Sequence, residues 1–200
     1  TDFSEVADQA GTTYTHGTQW AYSTTYYWRV DAYNGFGTTT GTVWHFTTDA
    51  DPTITVIPHL NDFQANINGW TILDSNGDSK LWTLVTETGA NKAMKIVYNG
   101  SMAMNDWLIT PPVHLNGGTA YEIKYNYRVE STTYPENLAL AVGTAPTAAA
   151  MTSVLADHPG IINVAYNVGR GTYTPSVSGT YYFGFHGYSD ADMYNLFVDN

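Results

Sequence analysis

The stretch Asn105-Asp106-Trp107-Leu108-Ile109-Thr110-Pro111-Pro112, running on into Val113-His114-Leu115-Asn116-Gly117-Gly118, decides how this chain folds. A β-prone apolar run that stops at two prolines cannot continue a helix. Nor can it stay in a central ladder, because proline lacks the N–H that strand pairing needs. It reads as a strand leaving a sheet. A Gly-Gly turn follows, and then the longest alternating segment of the chain, with Tyr121, Ile123, Tyr125, Tyr127 and Val129 on one face. The stretch is therefore expected at a sheet corner, and such a corner fits a β-sandwich.

Composition agrees with an all-β chain. Of 200 residues 43% are apolar, enough for a core, while only 12% are charged. Sixteen tyrosines and many threonines favour strands over helices and disorder. Eighteen acids against seven bases give a net charge of −11, which repels phosphates and so excludes nucleic acid and anionic membrane as partners. Cations are the more natural small partners. No cysteine is present, so disulfides, thiolate chemistry and Cys-ligated zinc are excluded. No apolar run is long enough for a membrane-spanning helix, so no direct membrane insertion is expected. The chain starts at Thr1 without a methionine and stops at Val198-Asp199-Asn200 with an apolar alternation still running. It reads as an excerpt of a longer protein, truncated at its C-terminus.

Three regions follow in order. In residues 1–48, Tyr26, Trp28, Val30 and Ala32 alternate against Arg29 and Asp31, Asn34-Gly35 turns the chain, and a second strand spans 40–48. This hairpin resembles the C-terminal half of a fibronectin type III module. In that family a loop leucine precedes a corner tyrosine by six residues, and here Trp20 and Tyr26 stand in that relation, with Tyr26 expected to bond back to the loop. The first three strands of such a module have no counterpart, which leaves an apolar face and a sheet edge for a neighbouring module or another chain to cover. Residues 49–58, with Pro52 and Pro58, are expected to form a stiff linker.

Residues 59–200 have the size of one sandwich, with strands expected at 69–73, 80–86, 93–98, 106–110, 119–129, 137–142, 161–168, 179–187 and 194–199. The one helix candidate is 146–155, where Pro146 can open a helix and four alanines support it. Gly169-Arg170-Gly171 reads as a turn between strands.

This second region resembles the cleaved-adhesin jelly-roll modules of gingipain-type haemagglutinin regions. Besides the Trp107 stretch, Asn68-Gly69-Trp70-Thr71-Ile72-Leu73-Asp74-Ser75-Asn76-Gly77-Asp78, followed by Trp82, looks like that family's opening Gly-Trp strand and Asp-rich turn. The tail from Gly179 to His186 and from Leu196 to Asp199 is similar to its closing strands. The pattern departs at Asn61-Asp62-Phe63-Gln64, where acids usually flank the phenylalanine, and at Asn200, where a second aspartate is common. The resemblance implies a partial fibronectin III-like sandwich followed by a jelly-roll β-sandwich. It also implies a non-catalytic adhesion module of a secreted or cell-surface bacterial protein, with carbohydrate or an extracellular protein as partner.

Two places have the chemistry of a structural calcium site. Asp74-x-Asn76-x-Asp78 has the spacing of the first three ligands of a calcium loop, although Val85 stands where an EF-hand needs its bidentate glutamate. The same residues also suit a tight turn at Asn76-Gly77 whose polar side chains bond their own backbone. The second place is topological: in a jelly roll the first and last strands are neighbours, which brings Asp62, Gln64 and Asp199 within reach of one cation.

Catalysis finds little in the sequence. The six histidines are scattered, and no zincin, Gly-x-Ser-x-Gly or nucleotide-binding motif occurs. His186 lies near Tyr188, Asp190 and Asp192, but a histidine at a strand end is more often packed than catalytic. For ligand binding, Tyr134, Tyr188 and Tyr194, with Asp190 and Asp192, offer rings to stack on sugar faces and carboxylates to take hydroxyls. The competing expectation is a structural spacer that binds only neighbouring copies of itself.

Overall fold

The computed structural model describes residues 11–200; the first ten residues of the expected 1–48 unit lie outside them. The chain divides at Asp51/Pro52 into two units. In the first, β1 (Thr25–Trp28) pairs with β4 (Trp44–Thr47), setting Tyr26 opposite Phe46 and Trp28 opposite Trp44. A small hairpin of β2 (Ala32–Asn34) and β3 (Gly37–Thr39) closes around Gly35. The Ala21 N–H donates to the Tyr26 hydroxyl at 2.9 Å, and the Trp20 ring stands edge-on to Tyr26 with centroids 4.2 Å apart. None of the described side chains of this unit is buried.

The second unit is a sandwich of two antiparallel sheets. Its strands are β5 (Thr71–Asp74), β6 (Thr83–Thr86), β7 (Lys92–Val97), β8 (Asp106–Ile109), β9 (Val113–Leu115), β10 (Tyr121–Val129), β11 (Glu136–Gly143), β12 (Ser153–Ile161), β13 (Asn167–Tyr173), β14 (Gly179–Gly187) and β15 (Asn195–Asp199). One sheet runs β13-β10-β15-β7-β6; the other runs β12-β11-β14-β8-β5, with β9 beside β14. Strand alternation sends Leu108, Leu138, Leu140, Phe183 and Phe185 from one sheet inward to meet Met94, Ile96, Tyr125, Val129, Leu196 and Val198 from the other. Strand β8 is buried on both faces. Leu108 points to this core, whereas Trp107 and Ile109 pack outward against Ala141 and Met151. The all-β sandwich expected from the sequence is therefore the fold.

The quoted stretch acts at the corner in a particular way. Pro111 and Pro112 interrupt pairing between β8 and β9, yet both strands lie along the same long β14, and the chain crosses to the other sheet only after Leu115. Pro112 keeps one role in pairing, since its carbonyl accepts the Ile54 N–H at 2.8 Å, and Ile54 forms an isolated parallel bridge with Val113. Thus part of the expected 49–58 linker is bonded to the sandwich.

Three local expectations are corrected. The helix over 146–155 is only a three-residue 3-10 turn, Ala148–Ala150, and a strand follows at once. The turn lies directly on β11: a Cβ added at Gly143 would come 2.2 Å from the Ala150 carbonyl oxygen, leaving no room for a wider helix. The strand expected at 161–168 is instead two strands, β12 and β13, meeting around residues 162–166. Pro159 and Gly160 (φ +69) mask the alternation of β12, an edge strand that tolerates proline.

The third concerns Gly169-Arg170-Gly171, which lies in the middle of β13 and makes no turn. Gly169 pairs with Tyr125, and a Cβ there would lie 2.3 Å from that tyrosine's ring. These glycines are needed for close approach. Gly169→Ala is accordingly expected to cost about 1–3 kcal/mol through overpacking. Gly179→Ala, whose nearest atom is 3.9 Å away, should be close to neutral. Equilibrium urea unfolding of the two variants, with m unchanged, checks this.

Candidate functional site

The Asp-rich turn leaves β5 at Asp74. Its carboxylate gathers the turn's backbone: Oδ1 accepts the N–H groups of Gly77 (2.7 Å) and Asp78 (3.2 Å), and Oδ2 accepts that of Ser79 (2.8 Å). Although burial opposes it, these bonds hold Asp74 below the usual carboxylate range. Asp78 Oδ1 accepts the Lys80 N–H, and Asn76 Nδ2 donates to the Ala103 carbonyl at 2.6 Å. Opposite Asp74 in the ladder stands Asp106, fully buried. Asp74, Asp78 and Asp106 each present a carboxylate oxygen within 4.8 Å of the other two. Asn76 Oδ1, Asp78 Oδ2 and Asp106 Oδ1 are buried and accept no hydrogen bond. Burial, reinforced by the charges of Asp78 and Asp74, pushes the Asp106 carboxyl up to about 7.

Asp62, Gln64 and Asp199 are drawn into a different network. Gln64 Nε2 donates to the Asp62 carbonyl and to Asn91 Oδ1, and the Lys92 ammonium donates to the Gln64 carbonyl at 2.8 Å. Asn91 Nδ2 then bridges Asp199 Oδ2 and Glu87 Oε2. Next to it, on the outer face of the five-stranded sheet, a depression of about 440 Å³ is lined by Glu87, Lys95, Arg128, Glu130 and Phe197. Its charges are spent on one another. Arg128 pairs with Glu87 and lies 3.7 Å from the centroid of the Phe197 ring, and Lys95 pairs with Glu130 at 3.3 Å.

The five residues expected to contact ligand fall in two places. Tyr134 and Tyr194 come together, with ring centroids 6.1 Å apart, and Tyr98 extends the row on the other side of Tyr194 at 5.8 Å. Tyr134 is 45% and Tyr194 36% exposed. Asp192 (φ +60) adjoins the row, its N–H donating to the Asn99 carbonyl at 2.9 Å, and Asp190 is exposed two residues before it. Beneath lies Glu136, fully buried, whose Oε1 accepts the Tyr194 N–H at 2.6 Å while Oε2 has no partner. Tyr188 lies elsewhere, on the outer face of the six-stranded sheet, donating its hydroxyl to Asp157. There His186 stacks on Trp107 at 4.1 Å and meets Asn105 Oδ1 at 2.8 Å, and burial brings its imidazole down to about 4.

The family model of the Cleaved Adhesin Domain matches residues 55–200. The chain belongs to that family. Among solved structures similar to this cleaved adhesin module are the K1 and K3 cleaved adhesin domains of Lys-gingipain from Porphyromonas gingivalis W83. K1 has a TM-score of 0.57 at 17% identity, covering 70% of this chain and 92% of that one. K3 has a TM-score of 0.57 at 14% identity, covering 69% and 92%. The C-terminal family 22 carbohydrate binding module of Clostridium thermocellum Xyn10B reaches 0.50 at 13% identity, covering 76% and 92%. At these identities the likeness is one of fold. No curated protein matches.

Sequence reasoning about this cleaved adhesin module missed two residues. Asp106 lay within the decisive stretch, and only the pairing of the Trp70 and Trp107 strands sets it against Asp74. Tyr98 ends an apolar run, and no local signal aims it at Tyr194. Glu136 gives a pH test. Burial raises its folded pKa above the ordinary 4.5, so the stability it contributes is full below that value and is lost as pH rises through the folded pKa. Relative to Glu136→Gln, the wild type should lose stability as pH rises above the ordinary glutamate value of 4.5. Urea unfolding at acidic and at neutral pH measures the gap, and a constant gap contradicts the assignment.

Proposed function

We propose that this cleaved adhesin module is a non-catalytic adhesion unit of a secreted or cell-surface protein, and that it binds carbohydrate through the row Tyr98–Tyr194–Tyr134. The row is the observation that carries this reading. Monomeric sandwiches bury most large rings, yet here three tyrosines line up at one end with two of them well exposed. Tyrosine offers wide contact area at little entropic cost, which suits the C–H faces of pyranoses. Asp192, bonded through its N–H to the Asn99 carbonyl beside Tyr98, and the exposed Asp190 two residues before it offer carboxylates for sugar hydroxyls. The same sandwich fold serves as a carbohydrate binding module in the Xyn10B relative, which supports the class of ligand. An extracellular protein presenting such glycans is the natural carrier.

A second reading, a spacer that assembles with neighbouring copies, is favoured by the first unit. Trp20, Tyr26 and Phe46 form one ring cluster and Trp28 stacks on Trp44, and all of these rings except the half-buried Tyr26 are exposed. Together with the Ala21-to-Tyr26 bond, this supports reading residues 11–48 as part of a fibronectin type III-like module whose inner face is covered by further strands.

The readings separate on a glycan array of neutral oligosaccharides, probed with wild type, Tyr194→Ala and Tyr134→Ala. Either substitution should weaken binding about fivefold or more, the loss of a ring worth over about 1 kcal/mol, with the near-ultraviolet dichroism of the core intact. Binding unchanged in both variants removes the row from the site. If no glycan is bound and sedimentation shows self-association, the spacer reading stands in its place.

A further inference from the structure

We propose that the tyrosine row takes a single soluble, neutral chain through three consecutive equatorially linked pyranoses, and that it turns away crystalline polysaccharide and acidic sugars. This rests on the reading of Tyr98–Tyr194–Tyr134 as a sugar platform and adds the length, form and charge of the ligand. Length follows from spacing. The ring centroids are 5.8 and 6.1 Å apart, and Tyr98 and Tyr134 each meet Tyr194 and not each other, so the three rings are strung out and not bunched. Each step is close to the advance of one pyranose along an equatorially linked chain, which gives one ring to each of three successive sugars.

Backbone hydrogen bonds fix both steps. Tyr98 follows β7 directly, Tyr194 directly precedes β15, and the Tyr98 N–H donates to the Tyr194 carbonyl at 2.9 Å. The Tyr194 N–H donates in turn to Oε1 of Glu136 at 2.6 Å, at the start of β11 and two residues beyond Tyr134. A platform held in this way loses little freedom when a chain docks, so each added ring contact is expressed as affinity. Form follows from the ring planes, which are turned by 30° between Tyr98 and Tyr194 and by 34° between Tyr194 and Tyr134. A crystal face is flat and needs coplanar rings. A free chain rotates about its glycosidic bonds to follow a turned row.

Charge follows from the surroundings, which are acidic. Among the described residues no ion pair reaches Asp190 or Asp192. Asp192 Oδ1 lies over the turn after Tyr98, 3.8 Å from where a Cβ at Gly100 would stand. Lys95, the base nearest to Tyr98 along the chain, is engaged by Glu130 at 3.3 Å. Carboxylates without a cation accept hydroxyl hydrogens and repel uronates, sialic acids and sulfated sugars.

Calorimetry tests all three properties, with β-1,4-linked oligomers of glucose, galactose, mannose and N-acetylglucosamine, each two, three and four residues long, and with the trimer of each oxidised at C6 to the carboxylate. Microcrystalline cellulose and chitin are tested by pull-down. In a series that binds, the trimer should be about fivefold or more tighter than the dimer, with no comparable step to the tetramer. Tyr134→Ala, at an exposed loop position, should erase the gain of trimer over dimer. The carboxylated trimer should bind about fivefold or more weaker than the neutral one at low salt, and the gap should narrow at high salt and when Asp190→Asn and Asp192→Asn are combined. Failure of every neutral oligomer to bind overturns the sugar platform itself, and this inference with it. With neutral binding present, this inference alone is overturned by a dimer as tight as the trimer, by a second fivefold step at the tetramer, by retention on cellulose or chitin, or by a carboxylated trimer that binds as well as the neutral one.

Discussion

The second unit depends on the register of strand β14. It pairs with β9 through Gly179–Tyr181, with β8 through Gly184–Gly187, and with β11 along Tyr182–Gly187 on its other side. Because side chains alternate, this register points Phe183 and Phe185 into the core and leaves Gly184 and His186 facing outward. A slip of one residue would exchange the two sets and drive an imidazole into the apolar interior. Gly184 reinforces the choice, since a Cβ there would meet the Trp107 ring at 2.9 Å. The β8 register in turn sets Asp106 opposite Asp74, so the acidic cluster is a consequence of core packing and not an independent feature.

The chain has few charges and uses them locally. Arg128 illustrates this: one guanidinium lies on the Phe197 ring, pairs with Glu87 and donates to the Val129 carbonyl. Although burial opposes it, the Glu87 partnership raises its pKa. Glu87 also accepts from Tyr166 and Asn91, so a single acid joins the β6–β7 hairpin, β10 and the loop before β13. With a net charge of −11, each internal cation relieves repulsion that water and salt would otherwise have to screen.

What could be read in advance follows from how local each signal is. The strands carrying Trp70, Trp107, Tyr121–Val129 and Leu196–Val198 were legible because a period of two against a single core writes itself into the sequence. Strand β12 was not: bulges near Leu138 and Leu140 of its partner, together with Pro159, break the alternation that defines a strand. The glycines of β13 imitate a turn, because the need for space over a tyrosine ring and the need for backbone freedom select the same residue. The alanines at 148–150 favour a helix locally, but Gly143 beneath them leaves room only for a tighter coil. For the candidate sites, residue types were legible and their company was not. Tyr134 and Tyr194 were named together, yet Tyr98 joins them and Tyr188 departs, since meeting at the end of a sandwich depends on topology.

The open state of residues 11–51 bears on how the whole chain comes apart. The heat-capacity change of unfolding is set by the apolar area newly hydrated, and side chains already wetted in the native state contribute little to it. Most of the heat-capacity change will therefore come from the sandwich, where the buried side chains lie. A single sharp transition for this chain would accordingly report cooperativity in one unit only, and the state of the other has to be followed through its own tryptophans.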